Sequence, residues 1–329
     1  MSFALLAIIG LALVFDFLNG FHDSANIVAT VISSRAMAPR RILLMTAMAE
    51  FIGPFLFGVA VATTIGSEVV EGEAVTLVVI EAALISAIGW NLFTWYFGIP
   101  SSSSHALVGG IVGAVVIQSG WEALRPDGLT KVLLALLISP FLGLVFGFIG
   151  MKLVLFLARG ASPRINSVFK RGQWGTALWL ALSHGTNDAQ KTMGIVTMAL
   201  VAGGVIGTFA VPTWVIGLSA GAIALGTALG GWRLIRTLGG KFYKIRPVHG
   251  FTSQIASSVV IMGAALVGGP VSTTQVVSSS IIGVGSAERV SKVRWGVARN
   301  IVMAWVLTIP ATAVFSALVY GLFSLLRGE

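Results

Sequence analysis

Polar side chains recur at helical spacing inside sequence that is otherwise apolar. Asp16, Asn19, Asp23, Asn26 and Thr30 follow one another at steps of three, four, three and four residues, which aligns them on one face of a helix. A second run offers His184, Asn187, Asp188 and Lys191 on one helical face. Carboxylates and carboxamides supply oxygen ligands for a hard cation, and a carboxylate also accepts a hydrogen bond from a protonated substrate. Two further strings are rich in hydroxyls: Pro100-Ser101-Ser102-Ser103-Ser104-His105 and Pro270-Val271-Ser272-Thr273-Thr274-Gln275. Proline restricts the residue before it and suits the first turn of a helix, so each string marks a break followed by a new helix start. Such a start exposes free backbone N–H groups and the positive end of the helix dipole. Ser102, Ser103 and Ser104, with Ser272, Thr273 and Thr274, add hydroxyl donors around it, as expected for an oxyanion site. N-capping alone explains one hydroxyl per string and not three in a row.

The elements that carry these residues are duplicated. Gly20-Phe21-His22-Asp23 recurs as Gly185-Thr186-Asn187-Asp188, offset by 165 residues (188 − 23), and the hydroxyl strings are offset by 170 (270 − 100). With the 165 offset, His184 matches Asn19, Asn187 matches His22 and Lys191 matches Asn26. Two related halves, each with an acid and a broken helix, are the pattern of a transporter.

Composition sets the solvent. The chain is 56% hydrophobic and only 10% charged, which places it in a bilayer. There are 40 glycines, which suit close helix packing in lipid, and no cysteine for a disulfide or thiolate metal site. Apolar stretches long enough to span run over 3–34, 42–66, 75–97, 104–119 and 132–158, then 174–202, 213–231, 250–269, 271–286 and 300–324. The formal charge of +9 sits in short loops and implies no nucleic-acid partner. Residues 35–41, 159–173, 232–249 and 287–300 hold three, four, five and four basic residues and only Glu288 as an acid, which assigns all four to the cytoplasm. Residues 67–74, with Glu68, Glu71 and Glu73, and the balanced 120–131 face outside. Ten alternating crossings from an outside N-terminus satisfy these assignments and leave the C-terminus outside too. Five crossings per half invert the second half relative to the first.

The expected fold is therefore an all-α polytopic membrane protein of about ten segments, two inverted five-segment repeats with helices broken at the midplane. Residues 1–158 form the first repeat, 159–173 a basic connector and 174–329 the second repeat, and the two together make one transport unit. The apolar N-terminus lacks the basic start and cleavage site of a signal peptide and is read as the retained first span. Ionisable groups deep in a span cost roughly 2.5–3.5 kcal/mol each and normally face a bundle interior, so Asp23 and Asp188 are read as functional.

The strings NGFHDSANIVAT and HGTNDAQKTMG, with PSSSSHALVGGIVGA and GPVSTTQVVSSSIIGVG, resemble the inorganic phosphate transporter (PiT) family over nearly the whole chain. The resemblance implies a secondary transporter of the cytoplasmic membrane that moves phosphate with a coupling cation, and a homodimer. It implies phosphate binding by Asp23, Ser103, Ser104, Asp188, Thr273 and Thr274, and cation binding by Asp23, Asn26, Asn187 and Asp188. Accessory candidates are Asn19, His22, Ser102, His105, His184, Lys191, Ser272, Gln275, Glu50 and Glu81. His22 and Gln275 depart from the commonest family pattern, Asn and His respectively. No cofactor is expected beyond Na⁺ or H⁺ as the coupling ion. Oxygen ligands with exposed carbonyls suit Na⁺, whereas His22, His105, His184, Glu50 and Glu81 suit a proton relay. Lys191 either neutralises the anion or pairs with an acid such as Asp188.

Other functions are weighed against the same residues. Hydrogen phosphate carries a proton through which Asp23 or Asp188 can accept a hydrogen bond, while sulfate offers only acceptors; a sulfate permease of the same family is the runner-up. A Ser-His-Asp hydrolase built from Ser101–Ser104, His105 and Asp23 lacks a G-x-S-x-G nucleophile elbow, and the second half replaces its His by Gln275. An anion channel would want a continuous pore, which broken helices around paired acids do not supply.

Overall fold

Backbone in hydrocarbon must satisfy its own hydrogen bonds, and the chain does so with helices. The computed structural model describes residues 2–327; Met1, Gly328 and Glu329, the outermost ends of the two repeats, lie outside the described residues. The helices are α1 (Phe3–Ser33), α2 (Pro39–Leu56), α3 (Ala60–Thr63), which continues as a π turn over Thr64–Glu68, α4 (Leu77–Phe97), α5 (Ser103–Ser119), α6 (Pro126–Leu157), α7 (Ile165–Ala202), α8 (Thr213–Leu229), α9 (Trp232–Gly240), α10 (Pro247–Leu266), α11 (Thr273–Glu288) and α12 (Trp295–Arg327). Extended pairing among the described residues is limited to an isolated Val70–Leu124 bridge. Apolar side chains of α6 and α12 point outward: Leu137, Phe141, Val306 and Leu318 are 62–68% exposed, while Asp16, Asn19, Glu50, His184, Asp188 and Lys191 are fully buried. Polar inside and apolar outside is the arrangement a lipid solvent demands.

Four helices, α1, α4, α6 and α12, are each long and apolar enough to cross a membrane, and two bent pairs, α2 with α3 and α8 with α9, pass that test together. α5, α7, α10 and α11, read from the sequence as spans, are not among them; α5 and α11 have 17 and 16 residues, short for a full crossing. α7 carries His184, Asn187, Asp188, Gln190 and Lys191, and α10 carries Thr252, Ser253, Gln254, Ser257 and Ser258, all buried against other helices. The breaks in α2–α3 and α8–α9 bend the chain by 72° and 70°; the first is new relative to the sequence reading, which runs 42–66 as a single span, and the second falls at the end of the span read as 213–231. Gly58 and Gly230 make them, with φ of +80° and +74°, a region that favours glycine. Two loop readings also change. Residues 232–240, assigned to a basic loop, form amphipathic α9, and the connector 159–173 becomes helical from Ile165.

The prolines stand outside the helices they announce. α5 and α11 begin three residues after Pro100 and Pro270, with Ser102 and Ser272 as N-caps whose hydroxyls accept from His105 N and Gln275 N at 3.1 and 3.3 Å. α4 and α10 end before them at Gly98 and Gly268, both with positive φ. Each break is thus a glycine stop, an extended proline stretch and a serine start.

Packing interlocks the halves. α1 lies on α8 and α7 on α2; α5 lies on α12 and α11 on α6; α1 meets α4 as α7 meets α10. Each of these pairings reappears when the halves are exchanged. The glycine that opens each acidic motif sits at such a crossing. A Cβ on Gly20 would lie 2.8 Å from the Ile223 carbonyl carbon of α8, and one on Gly185 2.7 Å from Glu50 Cα of α2. Small residues there let the backbones touch.

The four basic segments gather at one end. Arg35, Lys170, Lys244, Arg246 and Arg294 line a single cavity of about 660 Å³, and Arg246 and Lys292 both bond Glu288. Burial pushes the Tyr243 phenol above its ordinary ionisation range, so it stays a donor, to the Ile281 carbonyl at 2.8 Å. The segments read as external meet each other separately: Lys131 pairs with Glu68 at 2.9 Å and Arg125 donates to the Ser67 carbonyl at 2.9 Å.

Gly185→Val wedges α7 off α2 and is expected to destabilise the detergent-solubilised protein by about 1–3 kcal/mol. Gly175→Val on the same helix, where a new Cβ meets nothing within 4 Å, is the control. A thermal melt of both checks this, and equal melting points would refute the crossing's role.

Candidate functional site

The two acidic motif helices, α1 and α7, lie side by side and present their polar faces to the start of α11. Thr273, the first residue of α11, places its hydroxyl 3.1 Å from Asp23 Oδ2 and 3.0 Å from Asp188 Oδ2. Thr274 donates to Asp23 Oδ1 at 2.9 Å and receives the Asn26 carboxamide at 3.0 Å. From the start of α5, Ser103 donates to Asn19 Oδ1 at 2.6 Å, and Asn19 Nδ2 reaches Asp188 Oδ2 at 3.4 Å. Ser104 donates to the Val271 carbonyl at 2.9 Å. Both hydroxyl strings and both acids therefore belong to one centre, as the sequence requires.

The positive side of this centre comes from α7. Lys191 Nζ lies 2.6 Å from Asp188 Oδ1 and donates to the Val271 carbonyl at 3.1 Å. Of the alternatives open in the sequence, pairing with Asp188 is the one the structure adopts. His184 stands between acids, its Nδ1 2.7 Å from Glu50 Oε1 and its Nε2 3.4 and 3.7 Å from Asp188 Oδ2 and Asp23 Oδ2. His22 Nδ1 contacts Asp23 Oδ1 at 2.8 Å. Ligand atoms of Asp23, His184 and Asp188 lie within 4.8 Å of one another. Two carboxylates beside hydroxyls and the Val271 carbonyl make an oxygen donor set that suits a hard cation, while the helix starts at Ser103 and Thr273 offer N–H groups to an anion.

Other candidates take supporting places. Asn187 spends its side chain on the break before α11, donating to the Gly269 carbonyl at 3.1 Å and accepting from Val271 N at 3.3 Å. His105 contacts Ser102 at 2.7 Å and Gln275 at 3.4 Å; neither partner is an acid, so the hydrolase triad is not assembled. Glu50 joins the centre through His184. Glu81 lies on another helix, α4. An apolar groove of about 1030 Å³ reaches His105 and Gln275 between α6 and α12, with walls such as Leu137, Phe141 and Val306. Its lining suits hydrocarbon, not an ion.

Two working residues escape the sequence reading. Gln190 Oε1 accepts from Val61 N and Ala62 N at 2.8 and 3.2 Å, and its Nε2 donates to the Gly58 carbonyl at 2.8 Å. It thereby satisfies the backbone that the α2–α3 break leaves open. Ser24 does the same for the other break, accepting from Gly231 N at 2.8 Å. Each follows its motif aspartate within two residues, so each motif helix braces the broken helix of the opposite half. A buried polar residue just after each acid was the available signal.

The chain as a whole is similar to known proteins. The model of the phosphate transporter family matches twice, over residues 19–161 and 158–316. The chain is 45% identical over 320 residues to a probable low-affinity inorganic phosphate transporter of Bacillus subtilis (strain 168), covering 96% of each chain. It is 46% identical over 318 residues to a protein of the same description from Rhizobium meliloti (strain 1021), covering 96% of this chain and 95% of that one. A solved structure described as the sodium-dependent phosphate transporter superposes with a TM-score of 0.88 at 25% identity, over 98% of this chain and 100% of that one.

Gln190→Leu removes three hydrogen bonds and strands the backbone groups at Gly58, Val61 and Ala62. It is expected to cost about 2 kcal/mol or more and to speed amide exchange at Val61 and Ala62, read by hydrogen–deuterium exchange. Unchanged protection there would show that the break does not rest on Gln190.

Proposed function

This chain belongs to the phosphate transporter family, a family of transport proteins and not of enzymes, and we propose that it is a symporter carrying inorganic phosphate inward across the cell membrane with a cation. The observation that carries the reading is the Thr273 hydroxyl held between Asp23 and Asp188 at a helix start inside the bundle. Hydroxyls and N–H groups recognise the phosphate oxygens, and the carboxylates accept a hydrogen bond from the P–OH that hydrogen phosphate retains. The relatives are described as phosphate transporters, and the sulfate reading finds no support among them. The structural neighbour's description as sodium-dependent supports a cation as the second cargo.

In this reading Asp23, Asp188, Ser103, Ser104, Thr273 and Thr274 bind phosphate, and Asp23, Asp188 and Asn26 hold the cation, with Asn187 fixing the break beside them. The four hydroxyls now donate to protein acceptors, so binding turns them from those acceptors to the anion. Ten crossings in two inverted repeats, with both termini outside and the four basic segments in the cytoplasm, place the centre near the midplane, where alternating access opens it to one side at a time. Two copies of the chain form the working homodimer.

Purified protein in liposomes is expected to accumulate labelled phosphate under an imposed Na⁺ or H⁺ gradient and to resist excess sulfate; the gradient that drives uptake names the cation. Asp23→Asn and Asp188→Asn each abolish uptake, and Asp188→Asn also lowers the melting point because it leaves the buried Lys191 ammonium without its carboxylate. Thr273→Val weakens phosphate affinity about ten- to hundredfold, the value of a hydrogen bond to a charged group. Wild-type uptake in either aspartate variant would remove that aspartate from the site, and unchanged affinity in Thr273→Val would leave its hydroxyl a structural role.

A further inference from the structure

The two repeats put Asn26 and Lys191 in register (191 − 26 = 165), as they put Asp23 and Asp188 in register (188 − 23 = 165). Three residues beyond its acid, one motif helix carries a neutral carboxamide and the other an ammonium. Around Asp23 the contacts are His22 at 2.8 Å, Thr274 at 2.9 Å and Thr273 at 3.1 Å, with His184 of α7 at 3.7 Å, and Asn26 is bound to Thr274. Around Asp188 the oxygens divide. Oδ2 faces Asn19, Thr273 and His184 at 3.4, 3.0 and 3.4 Å, while Oδ1 is taken by Lys191 Nζ at 2.6 Å.

The second partner of Lys191 is informative. It is the Val271 carbonyl, 3.1 Å away, which lies in the break before α11. A carboxylate oxygen together with a carbonyl released by a discontinuous helix is the environment that coordinates a small cation in transporters of this construction, and such hard oxygen donors suit alkali and alkaline-earth ions rather than soft metals. Lys191 is fully buried, and Asp188 with it. A buried ammonium needs that carboxylate as much as the carboxylate needs a cation.

We infer that the Lys191 ammonium is a tethered substitute for one co-transported cation. Asp188 receives its positive charge from the chain, and only the Asp23 half, where Asn26 takes the place of the lysine, recruits a mobile one. The consequence is a lower number of cations moved per phosphate than a transporter with a neutral side chain at both positions. This inference rests on the cation-symport reading above.

The test compares wild type with Lys191→Asn, the residue its counterpart carries, and Lys191→Arg. One measurement is the melting point of the purified protein as NaCl replaces choline chloride; the other is the charge moved per phosphate, from the reversal potential in liposomes. Lys191→Asn is expected to gain a Na⁺-dependent rise in melting point and to move one more cation per phosphate. Lys191→Arg keeps the wild-type count. A folded Lys191→Asn with no added Na⁺ stabilisation and the wild-type count overturns the inference. Wild type that is itself stabilised by Na⁺ with a dependence on two or more ions overturns it whatever the variants do. Wild type that moves no phosphate under any gradient refutes the symport reading instead, and the melting experiment still reports on Lys191.

Discussion

The Thr273 hydroxyl has one proton to donate and two carboxylates within reach of it. Asp23 and Asp188 come from different halves of the chain, and both turn an oxygen toward that group. Like charges this close in a medium of low dielectric repel strongly, so the pair persists only with positive charge and donors packed around it. Lys191, His184, His22, Asn19 and Thr274 supply them. Placing these groups within hydrogen-bond reach fixes where α1, α7 and the start of α11 must run. The helix breaks follow from the same need, because a continuous helix from α10 would carry no hydroxyl cap into the bundle interior.

The breaks in turn create open backbone, and the motif helices close it. Asn187 clamps the stretch before α11, Gln190 the α2–α3 break and Ser24 the α8–α9 break. Site and scaffold are thereby the same residues, a few positions apart on two helices. A motif of this kind recurs in both halves because each copy both presents an acid and repairs a discontinuity in the other half.

What the sequence revealed and what it hid divide along physical lines. Asp23, Asp188 and the hydroxyl strings were legible because ionisable and polar groups in hydrocarbon are costly enough to need a reason. The helix starts near Pro100 and Pro270 were legible because proline cannot continue a helix, although Ser102 and Ser272 turned out to be the true caps. The bend at Gly58 was not, since a glycine within an apolar run looks the same whether it adopts positive φ or lets two helices touch. Lys191 was visible as an anomaly, but its partner depended on which carbonyl the break before α11 set free. Asn187 illustrates the same limit: its type suggested an ion ligand, and its surroundings gave both its polar atoms to backbone.

The exchange of partners between halves bears on mechanics. α5 is seated on α12 and α11 on α6, and each motif helix rests on the second helix of the other half. The seam left by gene duplication therefore does not coincide with any surface along which the molecule can slide. A rigid body that includes α1 must also take α8, and one that includes α11 must take α6, so whatever moves is assembled from both copies. Ancestry divides this chain along its sequence, whereas its machinery divides across it.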